Sequence, residues 1–366
     1  MFRIGSLDIG FPVVQAALSG YSDLPMRRVA RLQGAVYALN EVVLDQLVLT
    51  KGKKQRALIR VAADDHPVGG QLMGAEPASF ALAADALVAA GYDCLDLNFG
   101  CPVRKVLGRC RGGFLLSQPA TALAIVREVH AAVAGRCPLT VKMRRGMDDS
   151  PESEHYFFKI LEGVFEIGVD AVTVHPRTVG QRYVGRSDWR FLARVKRHVG
   201  DRIVLGSGDL FSAEDCLRMI EQTRVDGVTV ARGCIGNPWI FAEIRALLAG
   251  KPLPVPPTVA EQGITIRRHY DWAVETYGPL VAGKVMRKFG IKYSELHPMD
   301  RQVRDAFIAV AKPGDWQAVL DQWYDPAKAW PPGVRRTGPG HLIAAGAEDR
   351  GGPGAADATP EVRRED

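Results

Sequence analysis

Residues able to carry acid–base and anion-binding chemistry stand just beyond several separate apolar runs. Cys101 lies in the segment Asp96-Leu-Asn-Phe-Gly-Cys-Pro102, three residues after Asn98. A thiol in a Gly-Cys-Pro turn at the tail of a strand can serve as a nucleophile or a general acid, or it can be a small buried apolar residue. Lys142 closes the run Val-Lys-Met. A lysine enclosed there must find an anionic or carbonyl partner, because an unpaired buried charge is costly. Gln71 offers donors and acceptors on one amide. His175 suits phosphate binding, substrate orientation or titration near neutral pH, and its position does not choose among them. Two glycine-bearing segments, Gly206-Ser-Gly-Asp209 and Ala231-Arg-Gly233, read either as tight turns or as a phosphate cradle. In the second reading backbone N–H groups approach the anion and Arg232 adds a charge-assisted donor.

The elements that must bring these residues together are short β-rich runs, each followed by a longer amphipathic stretch. The spacing predicts strands at Val13 to Ala16, Val36 to Leu39, Pro67 to Leu72, Cys94 to Leu97, Leu139 to Lys142, Ala171 to His175, Ile203 to Leu205 and Gly227 to Val230. Eight nearly all-apolar runs with helical crossovers imply parallel strands covered on both faces. Within about 250 residues that pattern is an α/β fold of the TIM (β/α)8 barrel type, whose active site lies at the carboxyl ends of its strands. The alternative, an open doubly wound sheet, lacks the G-x-G-x-x-G expected after its first strand. Seven of the eight runs end on or near a polar residue, including Glu41, Gln71, Lys142 and His175 with Arg177.

The barrel is expected to occupy residues 1–250. A proline-rich linker, Lys251 to Pro257, leads into a small helical domain over 258–328, and the Gly, Pro, Ala and Arg-rich residues 331–366 read as a disordered tail. The chain has 366 residues, 47% hydrophobic and 24% charged, with 47 basic against 41 acidic side chains. The net charge of +6 permits a polyanionic partner without requiring one. No secretory signal and no long apolar run argue for a membrane, and the six cysteines have neither zinc-site nor disulfide spacing. A cytoplasmic setting, no metal and a monomer are the expectations. Between Arg267 and Lys292 six basic residues face two acidic ones. Lys284, Lys288 and Lys292 fall at i, i+4 and i+8, with Arg287 beside them, opposite Met286, Phe289 and Tyr293. Such a stripe is a solvated face or a track for nucleic-acid phosphates, and Gly290 is expected to weaken its last turn.

Over roughly residues 11–325 the chain resembles the tRNA-dihydrouridine synthases. The resemblance is carried by Ala16-Ala-Leu-Ser-Gly-Tyr-Ser-Asp23, Gly70-Gln71, the Asn-Phe-Gly-Cys-Pro element, Val141-Lys-Met-Arg144, Val174-His-Pro-Arg-Thr178, Gly206-Ser-Gly-Asp209, Ala231-Arg-Gly-Cys-Ile-Gly-Asn-Pro-Trp239 and Arg287-Lys288. It implies FMN in the barrel, NADPH as reductant and tRNA gripped with help from the helical domain. Ala17, Leu18, Ser19, Gln71, Lys142, His175, Ser207, Gly208, Asp209, Ala231 and Arg232 would hold FMN, with Gln71 suited to the flavin's pyrimidine edge. Asn98 would meet the uracil, with Arg177 and Tyr183 also on the substrate side. Lys284, Arg287 and Lys288 would meet the RNA. Cys101 would give a proton to carbon 5 of a uracil that takes a hydride at carbon 6, after the base has swung out of its stack.

Several positions depart from that family's pattern. Ala17-Leu18 stands where Pro-Met is usual, and Ser207 where Asn is usual; both can still offer backbone N–H groups. Ala231 replaces a glycine. The loop Val103 to Arg111 lacks an expected asparagine at Leu107 and carries Arg111 where a small residue is usual. Competing readings are an FMN-dependent barrel oxidoreductase for a small molecule and a non-catalytic tRNA-binding relative.

Overall fold

A computed structural model of the chain describes residues 2–50 and 52–338. Eight parallel strands form its centre: β1 (Val13–Gln15), β2 (Tyr37–Leu39), β3 (Val68–Met73), β4 (Cys94–Phe99), β5 (Leu139–Arg144), β6 (Ala171–His175), β7 (Ile203–Ser207) and β8 (Gly227–Val230). Each pairs with the next, and β8 pairs with β1, so the sheet closes into a TIM barrel. The crossovers are α1 (Leu24–Leu32), α2 (Pro77–Ala89), α3 (Pro119–Val133), α4 (Pro151–Ile167), α5 (Trp189–Val199) and α6 (Ala213–Thr223), and α7 (Ile240–Leu248) follows β8. Between β2 and β3 there are a two-residue strand, Val43–Leu44, paired with the end of β3, and two short helical turns, Asp45–Val48 and Lys53–Leu58. Strand composition forces this arrangement. Leu95, Leu97, Val141, Met143, Val172 and Val174 alternate onto the outer face and are buried with helix residues such as Phe80, Leu87 and Val126.

The inner face is divided by depth. Its floor is apolar, with Val14, Tyr37, Leu39, Cys94, Ala171 and Leu205 clustered against Ile4 and Ile9. Ile4 belongs to a short antiparallel hairpin, Arg3–Ile4 with Leu7–Asp8, that the sequence reading did not anticipate. Above the floor the inner face turns polar. β4, β5 and β7 each run two residues past their expected ends, because the polar residues that break the apolar pattern still pair in the ladder. Asn98 is in register with Lys142, and Arg144 with His175.

The helical region comprises α8 (Val259–Tyr277), α9 (Pro279–Tyr293), α10 (Asp300–Ala309) and α11 (Pro313–Trp323). Thr258 and Glu261 form a capping box that starts α8, a device worth about 1 kcal/mol. Contrary to expectation, α9 runs unbroken through Gly290. A Cβ there would lie 2.4 Å from the Phe307 ring, so the glycine admits α10 rather than weakening α9. Lys292 also departs from its expected place on an RNA-facing stripe. It is buried and pairs with Glu295 at 3.1 Å.

The expected tail begins too early. Residues 331–338 fold back as a strap over the junction of barrel and helices. Val334 N–H donates to Leu296 O at 2.9 Å, Arg335 pairs with Glu243 at 2.6 Å, and Arg336 pairs with Glu295 at 3.1 Å. Composition concealed this, because the strap is anchored by arginines that find buried carboxylates, not by apolar side chains. The remainder of the expected tail, 339–366, lies outside the described residues.

Candidate active site

A line of hydrogen bonds climbs from the polar layer of the barrel to Cys101. Thr140 Oγ1 donates to Asp96 Oδ1 at 2.6 Å, and Gln71 Nε2 donates to Asp96 Oδ2 at 2.6 Å. Asn98 Nδ2 donates to Gln71 Oε1 at 2.7 Å, and Asn98 Oδ1 accepts from the backbone N–H of Gly100 at 3.0 Å and of Cys101 at 3.1 Å. This is an Asx-type turn, in which the short amide side chain satisfies backbone donors two and three residues on. Asn98, expected at the substrate, thus commits most of its amide to holding the Cys101 turn. Gln71, expected on a cofactor edge, has both ends of its amide engaged by protein. Asp96 and Thr140 were missed by sequence reading; the alternation that puts them on the face of Asn98 and Lys142 was the available signal.

Cys101 is half-buried at the barrel mouth. Gly112, at φ +59°, passes so close that a Cβ would lie 2.8 Å from the Cys101 Cβ. Burial pushes the thiol above its ordinary range, against the opposing pull of a Val103 backbone hydrogen bond, Lys142 and Arg144. The thiol is therefore protonated at neutral pH. The Lys142 ammonium lies 3.4 Å from where a Gly100 Cβ would stand. Burial and the nearby Arg144 bring its pKa down to about 8, against the pull of Asp96 and Cys101. Cys94 and Cys216 are fully buried, as their strand and helix positions suggested.

Around the ends of β6 to β8 lies a cationic cluster. His175 is buried and held well below its usual pKa, first by desolvation and then by Arg144, Lys142, Arg177 and Arg232. Its Nδ1 accepts the Arg177 N–H at 3.3 Å, so the neutral ring carries its proton on Nε2. Arg177, expected at the substrate, is buried, with Nη2 bound to both Asp209 oxygens at 2.8 and 2.7 Å and to Gly185 O at 2.6 Å. Among the described residues its Nε and Nη1 have no hydrogen-bond partner, nor has Ser187 Oγ. Ser187 packs against Gly208, which has φ +106°. Ser207 is buried at the end of β7, and Ala231 and Arg232 are half-buried beyond β8. Arg232 lies 3.7 Å from Asp209 and its guanidinium is 4.6 Å from the Tyr183 ring centre. Gly206 and Gly233 are required by packing, since a Cβ would meet Met219 Sδ at 2.5 Å and Leu210 O at 2.1 Å respectively.

The loop after β1 forms another wall. Ala17 and Leu18 are half-buried and Ser19 is exposed. The Leu18 N–H, expected to be available to a cofactor, donates instead to Ser22 Oγ at 2.8 Å. Two helical-region residues clasp this loop. Tyr277 donates its hydroxyl to Asp23 Oδ2 at 2.8 Å, and the Lys288 ammonium donates to Gly20 O while lying 4.9 Å from the Tyr21 ring centre. Lys288, expected to meet RNA, is therefore turned toward the barrel; Lys284 and Arg287 remain exposed on α9. In the atypical loop, Arg111 is buried and acts electrostatically on Asp45. A surface hollow of about 460 Å³ lined by Phe158, Arg194, Arg197 and His198 lies on the outer wall between α4 and α5, and Arg194 and His198 are already paired there with Glu154 and Glu162.

The sequence model of the dihydrouridine synthase family matches residues 14–328. The chain belongs to that family. Relatives include a "probable tRNA-dihydrouridine synthase" of Mycobacterium tuberculosis (strain CDC 1551 / Oshkosh), 33% identical over 329 residues, covering 87% of this chain and 84% of the relative. Another so named, from Rickettsia conorii (strain ATCC VR-613 / Malish 7), is 32% identical over 309 residues, covering 84% and 91%. Among solved structures, morphinone reductase matches with a TM-score of 0.51 at 13% identity over 70% of this chain and 90% of its own. Histamine dehydrogenase from Rhizobium sp. 4-9 matches at 0.55 and 15% identity over 74% of this chain, which spans only half (50%) of that larger protein. Those distant likenesses show the barrel fold alone. The matched region takes in the barrel from the second residue of β1 onward, the cysteine turn and the four helices α8 to α11. Among the described residues no group of His, Cys, Asp and Glu forms a metal site, and no helix is long and apolar enough to cross a membrane.

Proposed function

We propose that this protein reduces uridine to 5,6-dihydrouridine in tRNA, using FMN as its cofactor and NADPH as the reductant, in the cytoplasm. Its family membership and the names of its relatives support the reaction. The observation that carries it in this chain is a protonated thiol, fixed by Asn98 at the edge of a cationic mouth.

The residues present fit a flavin phosphate. The unpartnered Nε and Nη1 of Arg177 and Oγ of Ser187 are buried donors, and a buried donor without a partner is costly unless a ligand satisfies it. Together with the backbone of Ser207 to Asp209, with Arg232 and with the Nε2–H of His175, they would hold the phosphate. Ala17, Ser19, Lys142 and Ala231 would line the rest of the cofactor. Bound there, FMN supplies hydride chemistry. Saturating a carbon–carbon double bond takes one hydride and one proton, and Cys101 holds the proton. Lys142 is charged at neutral pH and balances negative charge arising beside it. Asn98 keeps the acid in position through its two backbone contacts, and Gln71 and Asp96 keep Asn98 in its rotamer. We further assign residues 258–328 as the unit that grips RNA, with Lys284 and Arg287 supplying phosphate contacts.

The test is spectroscopic. The purified protein should carry a flavin spectrum, and its NADPH-reduced flavin should be reoxidised anaerobically by unmodified tRNA. Reoxidation by free uridine or orotate, with no effect of tRNA, would overturn the reading in favour of a small-molecule reductase.

A further inference from the structure

Tyr183 and Val184 are adjacent in sequence, and both are exposed, at 53% and 77%. Single apolar residues on a protein surface are ordinary. This pair stands on a loop that is held by hydrogen bonds on both sides of it. Thr178 N–H donates to Gln181 Oε1 at 2.9 Å, Gln181 N–H to Thr178 Oγ1 at 3.1 Å, and Val184 N–H to Gln181 O at 2.8 Å. Two buried arginines pin the carbonyls. Arg144 Nη1 donates to Thr178 O at 2.9 Å and to Arg182 O at 2.7 Å, while Arg177 donates to Gly185 O. Arg182 is held at φ +49° and Gly185 at φ +72°, the left-handed region that side chains other than glycine seldom adopt. The loop is thus built to hold the Val184 side chain outward at the rim of the mouth, with the Tyr183 ring beside it.

The same guanidinium ties this loop to the acid. Arg144 Nε donates to Gly100 O at 3.0 Å, one residue before Cys101. The Tyr183 ring lies with its centre 5.4 Å from the Arg144 guanidinium and 4.6 Å from that of Arg232, leaving Val184 outermost. Exposed Arg186 follows. Enzymes acting on a stacked base must take it out of its stack, and apolar side chains that insert between bases can fill the gap left behind.

We propose that Val184, supported by Tyr183, is the wedge that enters the RNA stack when the target uridine moves into the pocket. The occupant of this apolar tip is the RNA strand beside the target, and Arg186 meets its phosphates. The proposal rests on the tRNA-reducing function assigned above. Because Arg144 joins the wedge loop to the Cys101 turn, insertion and protonation are set at a fixed separation.

The test uses the flavin-loaded protein with unmodified tRNA carrying 2-aminopurine next to the uridine that is reduced. Binding to the parent protein should raise 2-aminopurine fluorescence as stacking is lost. Val184→Asp should still bind, by anisotropy, yet lose the fluorescence rise and slow flavin reoxidation by tRNA about tenfold; Val184→Leu should restore both. If Val184→Asp unstacks the reporter as the parent does, or if the parent leaves the reporter stacked, there is no wedge. If the parent's reduced flavin is not reoxidised by tRNA at all, the assigned function itself has failed, and the wedge falls with it.

Discussion

At the scale of single residues, the mouth depends on burial moving two groups in opposite senses. Burial raises the Cys101 thiol, which keeps its proton at neutral pH, and lowers Lys142 to about 8. Cys101→Ala should slow tRNA-dependent reoxidation of the reduced flavin by about a hundredfold or more. Flavin content, read from the absorption spectrum, should be unchanged, because the thiol is not among the phosphate donors. Lys142 sets a pH limb. A group whose pKa is depressed is charged below that value and loses its proton above it, so the rate should fall as pH rises through about 8. Lys142→Arg should remove that fall, because a guanidinium stays charged. An unchanged profile would mean that the Lys142 charge is not used.

At the scale of elements, α9 presents its basic residues to two different partners. Lys288 reaches Gly20 O in the loop after β1 and faces Asp23 and Glu41, whereas Lys284 and Arg287 face solvent. Lys288→Met should therefore loosen that loop and raise the flavin dissociation constant in a fluorescence titration, with little change in the salt dependence of tRNA binding. Lys284→Ala and Arg287→Ala should do the reverse, each lowering the slope of log affinity against log salt by about one. The i, i+4, i+8 spacing of Lys284, Lys288 and Lys292, with Arg287 beside them, was visible in sequence. Their division between barrel, carboxylate and solvent was not, because it depends on where α9 is docked.

For the molecule as a whole, the strap of residues 331–338 joins barrel to helices through buried charge. Glu295 is shared by Lys292 and Arg336, and all three are almost wholly enclosed. Arg336→Ala leaves that carboxylate with one partner and should cost about 2 kcal/mol in chemical denaturation, less than the loss of an only partner. Removal of residues 331–366 should cost more and separate the unfolding of barrel and helical region into two transitions. A single transition at the parent's midpoint would show that the strap contributes nothing.

Much of this molecule was legible in one dimension. Eight apolar runs with helical crossovers dictate a closed parallel barrel, and a barrel dictates that residues at the tails of its strands converge. The Cys101 turn, Lys142 and His175 could thus be named from sequence, because strand period and strand end are local properties. What required the tertiary structure was the partner of each polar group. Asn98 binds its own turn, Arg177 binds Asp209, Leu18 spends its N–H on Ser22, Lys288 and Lys292 point inward, and Arg335 and Arg336 anchor a segment that looks unfoldable by composition. Hydrogen bonds and ion pairs are short-ranged and directional, and they join residues up to 268 positions apart along the chain. No local pattern records them until the barrel has closed and the helices have docked.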